Sequence, residues 1–347
     1  MRYYITAEQD ASIYSEFPTK TTGEDEILEV GKTNNGADAV RSLIQFNLTS
    51  VSASIASLQY SSASRFDLKL KIANATTLKR DQLIYFYPLS QSWEEGTGYF
   101  YQDRTYEVYG PSWRYRESGS NWNASGSDFV QSVFTTASMS RPVTDLTVDV
   151  TDIVRTWLSG TIPNYGMIAM FTSSDESWVA NKGNIKFFSK DTHTIHSPML
   201  VVKDPTSTYL TGSLTSSMVL TNPKIQAIDL KDSYDRTDTV LVNLHVRPEY
   251  PTKTFGDTLT TFAPRYYLPT SSYFCIVDVQ MNSAIDAFDQ YSPIQNDGTG
   301  SFIQFDARAL YPNRRYQLRY RIDYGTRAIT SVDNRIFTIR DIPSEIV

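Results

Sequence analysis

At 347 residues the chain exceeds the usual single-domain size, and two domains are expected. A formal charge of −6 argues against a general nucleic-acid binder, which needs a basic footprint to displace phosphate counterions. The single cysteine excludes an intrachain disulfide, and no apolar run approaches the roughly 20 residues that span a bilayer. The opening MRYYITAEQD lacks the basic-then-apolar pattern of a signal peptide, so synthesis in a cytoplasm without export by the general route is expected. Aromatic residues make up 13% of the chain, with 23 Tyr, and Tyr and Thr favour pleated, half-buried surfaces. The composition predicts an all-β protein.

Alternation with period two recurs along the chain. FDLKLKI sets Phe66, Leu68, Leu70 and Ile72 on one face. The stretch from Trp93 to Trp122 is too irregular for strands throughout and reads as a long loop stabilised by its own aromatics. LTVDV places Leu146, Val148 and Val150 together. The one helical spacing follows it, Thr151 to Leu158, with Ile153, Val154, Trp157 and Leu158 on one side. Thr151 or Asp152 would cap that helix and Gly160 would stop it. Met199–Val202 reads as a strand, and the small polar residues after Asp204 read as a linker. TVLVNLHV then turns Val240, Val242, Leu244 and Val246 inward. RRYQLRYRIDY does the same with Tyr316, Leu318, Tyr320, Ile322 and Tyr324. Strands end at turn formers such as Thr33-Asn-Asn-Gly36 and Asn296-Asp-Gly298. The expected organisation is a β domain over 1–204, a linker over 205–217 and a second β domain over 218–347.

Catalytic signatures are missing: there is no P-loop, dinucleotide fingerprint, HExxH or G-x-S-x-G elbow. Cys275 lies in the apolar run YFCIVDV and reads as buried. Glu94 and Glu95, adjacent in an extended segment, point to opposite sides and cannot together flank a glycosidic bond. Either can combine with Asp103, Asp128 or Asp149, and nothing selects a partner. Such carboxylates also cap backbone amides or serve as oxygen ligands of structural calcium, but no specific motif calls for the ion and no cofactor is assigned. His193 and His196 alternate sides on a strand, and a zinc site would need two distant ligands with only His245 left. A surface turn feeding the strand from Met199 is the better reading.

Two groups of residues point to recognition. Trp93, Tyr101, Trp113, Tyr115 and Trp122 in the long loop can stack on sugar rings or pack over the end of a sandwich. Arg314, Arg315, Arg319 and Arg321 give the C-terminal segment a basic bias and, with Tyr316, are candidates for an interface. Interspersed acids such as Asp323 and Asp333 favour contact with protein over nucleic acid.

Residues 1–204 resemble the DNRLRE-type domain, a jelly-roll sandwich akin to carbohydrate-binding modules. The resemblance rests on Asp10-Ala-Ser-Ile, Leu28-Glu-Val-Gly31, Arg41-Ser-Leu-Ile-Gln-Phe-Asn-Leu48, Ser92-Trp-Glu-Glu-Gly96, Val148-Asp-Val-Thr-Asp-Ile-Val-Arg-Thr-Trp157, Pro163-Asn-Tyr-Gly-Met-Ile168 and Phe188-Ser-Lys-Asp before Pro198-Met-Leu-Val-Val, in that order. The second half looks like segments of structural proteins from tailed bacteriophages, especially large myoviruses of cyanobacteria and other marine hosts. There the matching residues are Arg247-Pro-Glu-Tyr-Pro-Thr-Lys-Thr-Phe255, Tyr267-Leu-Pro-Thr-Ser-Ser-Tyr273, Asp297-Gly-Thr-Gly-Ser-Phe302 and Leu310-Tyr-Pro-Asn-Arg-Arg-Tyr316. The resemblances imply an N-terminal jelly-roll β-sandwich followed by a smaller C-terminal β-sandwich. They further imply a non-enzymatic virion component whose partners are other virion proteins in a symmetric homo-oligomeric assembly. The alternative is an adhesin that binds host glycan through the aromatic loop.

Overall fold

The computed structural model describes residues 2–33, 37–49, 51–52, 63–76, 78, 81–101, 109–140, 145–178, 183–205, 208–210, 216–217, 223–250 and 266–340. Asp103, the turn residues 34–36 and residues 251–255 lie outside them. The fold is all-β and divides into two compact units. One spans Ile5–Val202; the other combines Lys203–Val347 with Met1–Tyr4. The contribution of the first four residues to the second unit has no counterpart in the sequence pattern.

The first unit contains strands β1 (Arg2–Tyr14), β2 (Ile27–Thr33), β3 (Asp38–Phe46), β4 (Arg65–Leu70), β5 (Ile72–Asn74), β6 (Gln82–Pro88), β7 (Tyr115–Glu117), β8 (Ser120–Asn121), β9 (Thr135–Met139), β10 (Leu146–Asp149), β11 (Met167–Met170), β12 (Gly183–Phe188) and β13 (Met199–Lys203). Hydrogen bonding runs β10-β4-β13-β1-β3-β11-β6-β9, and a branch leaves β3 through β2 and β12 to β5. The fork lies within β3: Asp38–Val40 pair with β2, while Ser42–Ile44 pair with β11. A single sheet thereby supplies both layers of a sandwich. On one face of β3 and β11, Ile44, Phe46, Met167 and Ala169 are fully buried; on the other, Leu43 and Ile168 are equally buried. That second face is covered by Trp93 and Trp122 from the long loop. Strands buried on both faces lose polar alternation, which explains the apolar run Met-Ile-Ala-Met.

Helix α1 (Thr151–Leu158) buries Ile153, Val154 and Trp157, as its spacing predicts. Its cap differs from expectation. Val150 occupies the N-cap position without a side-chain bond. Thr151 Oγ1 instead accepts Phe66 N (2.9 Å) and donates to Asp149 Oδ1 (2.5 Å). A second short helix, α2 (Ser173–Ser177), is capped by the Thr172 side chain, which accepts the amide of Asp175.

The second unit holds β14 (Tyr209–Leu210), β15 (Ser216–Ser217), β16 (Pro223–Ala227), β17 (Ser233–Asp235), β18 (Thr239–Pro248), β19 (Tyr266–Tyr267), β20 (Ser272–Asp278), β21 (Ser283–Asp286), β22 (Gln295–Asp297), β23 (Ser301–Asp306), β24 (Arg315–Asp323) and β25 (Ala328–Arg340). Two five-stranded sheets, β14-β22-β23-β18-β16 and β17-β25-β24-β20-β21, enclose one core. Val240, Val242, Leu244 and Val246 from β18 meet Tyr316, Leu318, Tyr320 and Ile322 from β24 in that core. Tyr234 packs edge-on against Phe305 and Phe337. The segment expected as a linker is partly sheet: β14 pairs in parallel with β22, and β15 with β19. The turn at Asn296-Asp-Gly298 forms as predicted, with Asp297 Oδ1 accepting the amides of Thr299 and Gly300.

Candidate functional site

Three carboxylates far apart in sequence meet in the first unit: Asp10 on β1, Glu95 after β6 and Asp191 before β13. One oxygen from each lies within 4.8 Å of the others. Asp10 is 1% exposed; Glu95 and Asp191 are half-buried. The local backbone fixes Glu95. A Cβ at Gly96 would collide with the Tyr109 carbonyl, and one at Gly110 with the Glu95 carbonyl. Both glycines also have positive φ, +73° and +118°, a region that side chains disfavour. The two backbones can therefore press together and hold Glu95 against β1, where its Oε1 accepts Asp10 N (2.6 Å).

Lys190 is the only cation bonded into the group among the described residues. Its amide donates to Asp10 Oδ2 (2.6 Å), and its Nζ lies 3.0 Å from Glu95 Oε2 and 3.1 Å from Asp191 Oδ1. Burial, reinforced by the neighbouring Glu95 and Asp191, pushes the Asp10 carboxyl well above the usual range. Burial raises Glu95 as well. Lys190 is raised because attraction to Glu95 and Asp191 outweighs its own burial.

The other acids considered from sequence cap backbone. Asp128 accepts the amides of Asn123 and Ala124, and Asp149 accepts Thr151 N. Cys275 is buried in β20, and burial pushes its thiol up to about 11, away from thiolate chemistry at neutral pH. His193 is exposed beside Glu26 and the ring of His196 lies against Phe188; neither joins the carboxylate group.

The aromatic candidates separate by burial. Trp93 and Trp122 are 4% exposed, and their indole N–H groups donate to the carbonyls of Tyr165 and Ser112. They cover the sheet, which is the packing role that the sequence left open beside stacking on sugar. One face of Trp113 is taken by the Arg41 guanidinium at 4.7 Å, which also grips Glu176 with two bonds. Tyr115 lies under Arg114. Tyr101, 91% exposed, projects beyond Phe100. A ring group that sequence reading missed lies over β6: Tyr85 and Tyr87 stack at 5.9 Å, and Phe134 stands 5.8 and 5.6 Å from them. Phe134 is half exposed, and Phe129 extends the group from Tyr87. The alternation in Leu-Ile-Tyr-Phe-Tyr was the available signal.

In the second unit Tyr316 is fully buried, its hydroxyl bonded to Tyr311 N and O, so it cannot meet a partner. Arg314 pairs with Asp278, and Arg321 with Asp323. Arg315 is exposed, and Arg319 reaches Asn282. Opposite the arginines, β25 exposes Val332 across from Arg319 and Ile336 across from Gln317. Among the described residues, no helix is long and apolar enough to cross a membrane.

Neither a protein-family model nor a curated protein matches this chain. Among solved structures, the chain is similar to the apo structure of Bacteroides uniformis β-glucuronidase 3, with 10% identity and a TM-score of 0.19. That likeness covers 86% of this chain and 26% of the other. It is also similar to a DUF4785 family protein from Legionella pneumophila, with 9% identity, 99% and 66% coverage and a TM-score of 0.19. The chain spans about a quarter of the first protein's length. Likenesses at that TM-score carry no argument.

Proposed function

We propose that the chain is a non-catalytic component of a tailed-phage virion, docking its sheet surfaces onto other virion proteins in a symmetric assembly. The observation that carries this reading is the outer face of β24 and β25, where Arg319 sits beside Val332 and Gln317 beside Ile336. Guanidinium groups interleaved with half-exposed aliphatic side chains have the composition of protein interfaces. The resemblance of the second half to virion proteins supports the same placement. A non-catalytic role is consistent with the buried thiol of Cys275 and with Glu95, which is tied to Asp10 N and Lys190. The test is a phage carrying Arg319→Asp with Ile336→Asp. Particles should lack the chain while the purified variant keeps wild-type circular dichroism. Normal incorporation of the variant would overturn the reading.

The ring group Tyr85, Tyr87 and Phe134 favours a second reading, a glycan-binding surface on the first unit, because adjacent half-exposed rings offer a stacking platform. A glycan array should then give binding that Phe134→Ala removes. A flat array, or one unaffected by that change, rejects it.

A further inference from the structure

We infer that Asp10, Glu95 and Asp191 form a divalent-cation site whose occupant is Ca²⁺. Three observations converge. Three carboxylates gather around one ammonium, an excess of two negative charges when all three are ionised. Two oxygens, Asp10 Oδ1 and Asp191 Oδ2, are buried and have no hydrogen-bond partner among the described residues. Asp10 itself is 1% exposed. An anionic oxygen shut away from water without a partner costs several kcal/mol, and proteins resolve this with a counter-ion or a metal. Finally, one oxygen from each lies within 4.8 Å of the others, close enough to share one coordination shell. Oxygens bound at about 2.4 Å on opposite sides of a Ca²⁺ ion lie about 4.8 Å apart.

The donor set selects the ion. It contains only carboxylate oxygen, without the sulfur or imidazole that favours zinc or copper. Mg²⁺ demands a tighter octahedron at about 2.1 Å, whereas Ca²⁺ accepts an irregular shell completed by water. Asp10 Oδ1 and Asp191 Oδ2 have no hydrogen-bond partner among the described residues, and Glu95 Oε2 is held only by the Lys190 ammonium. Lys190 Nζ, on a side chain 26% exposed, reaches two of the carboxylates and competes for the same charge. The ion would tie together β1, the loop carrying Trp93 and the turn before β13, which are distant in sequence.

The experiment uses the full chain after chelator treatment. Calorimetric titration with CaCl₂ should show one saturable site with a Kd between about 1 μM and 1 mM. Millimolar CaCl₂ should raise the melting temperature read by tryptophan fluorescence, since all five tryptophans lie in the first unit, and MgCl₂ should raise it far less. Asp10→Asn and the less buried Asp191→Asn should each weaken binding at least about tenfold, the loss of one charged ligand. Lys190→Met should strengthen it. A wild-type chain with no saturable heat overturns the inference. So does a melting shift reproduced by NaCl at matched ionic strength, or wild-type affinity in both Asp variants.

Discussion

The second unit and the Asp10 group of the first bury acids in opposite ways. In the second unit Asp278, Asp286, Asp306 and Asp333 are buried, and each has a partner supplied by the chain. Asp333 accepts Ala227 N, Tyr320 Oη and Arg335 N. Asp278 is bonded by Arg314, and Asp306 by Arg308. Asp286 accepts Tyr4 Oη and lies 3.0 Å from Arg2, using the chain's first residues as its counter-charge. In the first unit Asp10 faces two more carboxylates and shares one lysine with them. A buried charge is tolerated when paired and fully hydrogen-bonded. The second unit meets that condition internally, as does Asp67 of the first through Arg65, whereas Asp10 keeps one buried oxygen without a hydrogen-bond partner.

The largest expected effect tests the internally satisfied case. Asp333→Ala removes the acceptor for a buried amide and a buried phenol, and should cost about 3 kcal/mol. Hydrogen exchange of β24 and β25 amides would read it, since Asp333 lies in β25 and its partner Tyr320 in β24. A cost below about 1 kcal/mol would show that the network is dispensable. The corresponding change in the first unit should have the opposite sign. In chelator, Asp10→Asn removes one of three crowded charges, keeps an oxygen for Lys190 N and supplies a donor. It should therefore stabilise by about 1 kcal/mol. All five tryptophans lie in the first unit, so their fluorescence during urea unfolding isolates this effect. If Asp10→Asn also destabilises by about 3 kcal/mol without calcium, the contrast between the units fails.

Sequence patterns disclosed these arrangements unevenly. Strand faces in the second unit were legible because its sheets bury one face, so Val240 through Val246 alternate cleanly with exposed neighbours. The same alternation placed Tyr316 inside, and composition alone had made it an interface candidate. In the first unit, β11 is buried on both faces and carries no such signal. The long loop was recognised, and packing over the end of a sandwich was one of two roles open to its aromatics; which rings are buried was not legible. The carboxylate group was illegible for another reason. Asp10, Glu95 and Asp191 are separated by 85 and 96 residues, and only the folded chain brings them together.

The smallest effect sharpens the contrast through pH. Burial alone would raise the Asp278 carboxyl. The Arg314 guanidinium and the amides of Met281 and Gln280 outweigh it and hold the group below its ordinary value of 3.8. A carboxyl depressed by folding binds its proton more readily in the unfolded chain, so ionisation favours the folded state. That contribution is complete above 3.8 and disappears as pH falls through the lower folded value. Arg314 is one-third exposed, and water weakens its share. Arg314→Gln should therefore lower stability by about 0.5–1 kcal/mol at neutral pH. The gap between variant and wild type should close as the carboxyl is protonated below 3.8. Urea midpoints across that range measure it. A gap that persists in acid would mean that Arg314 acts through its contact with Met281 and the Tyr311 ring, making the site one of packing and not of charge.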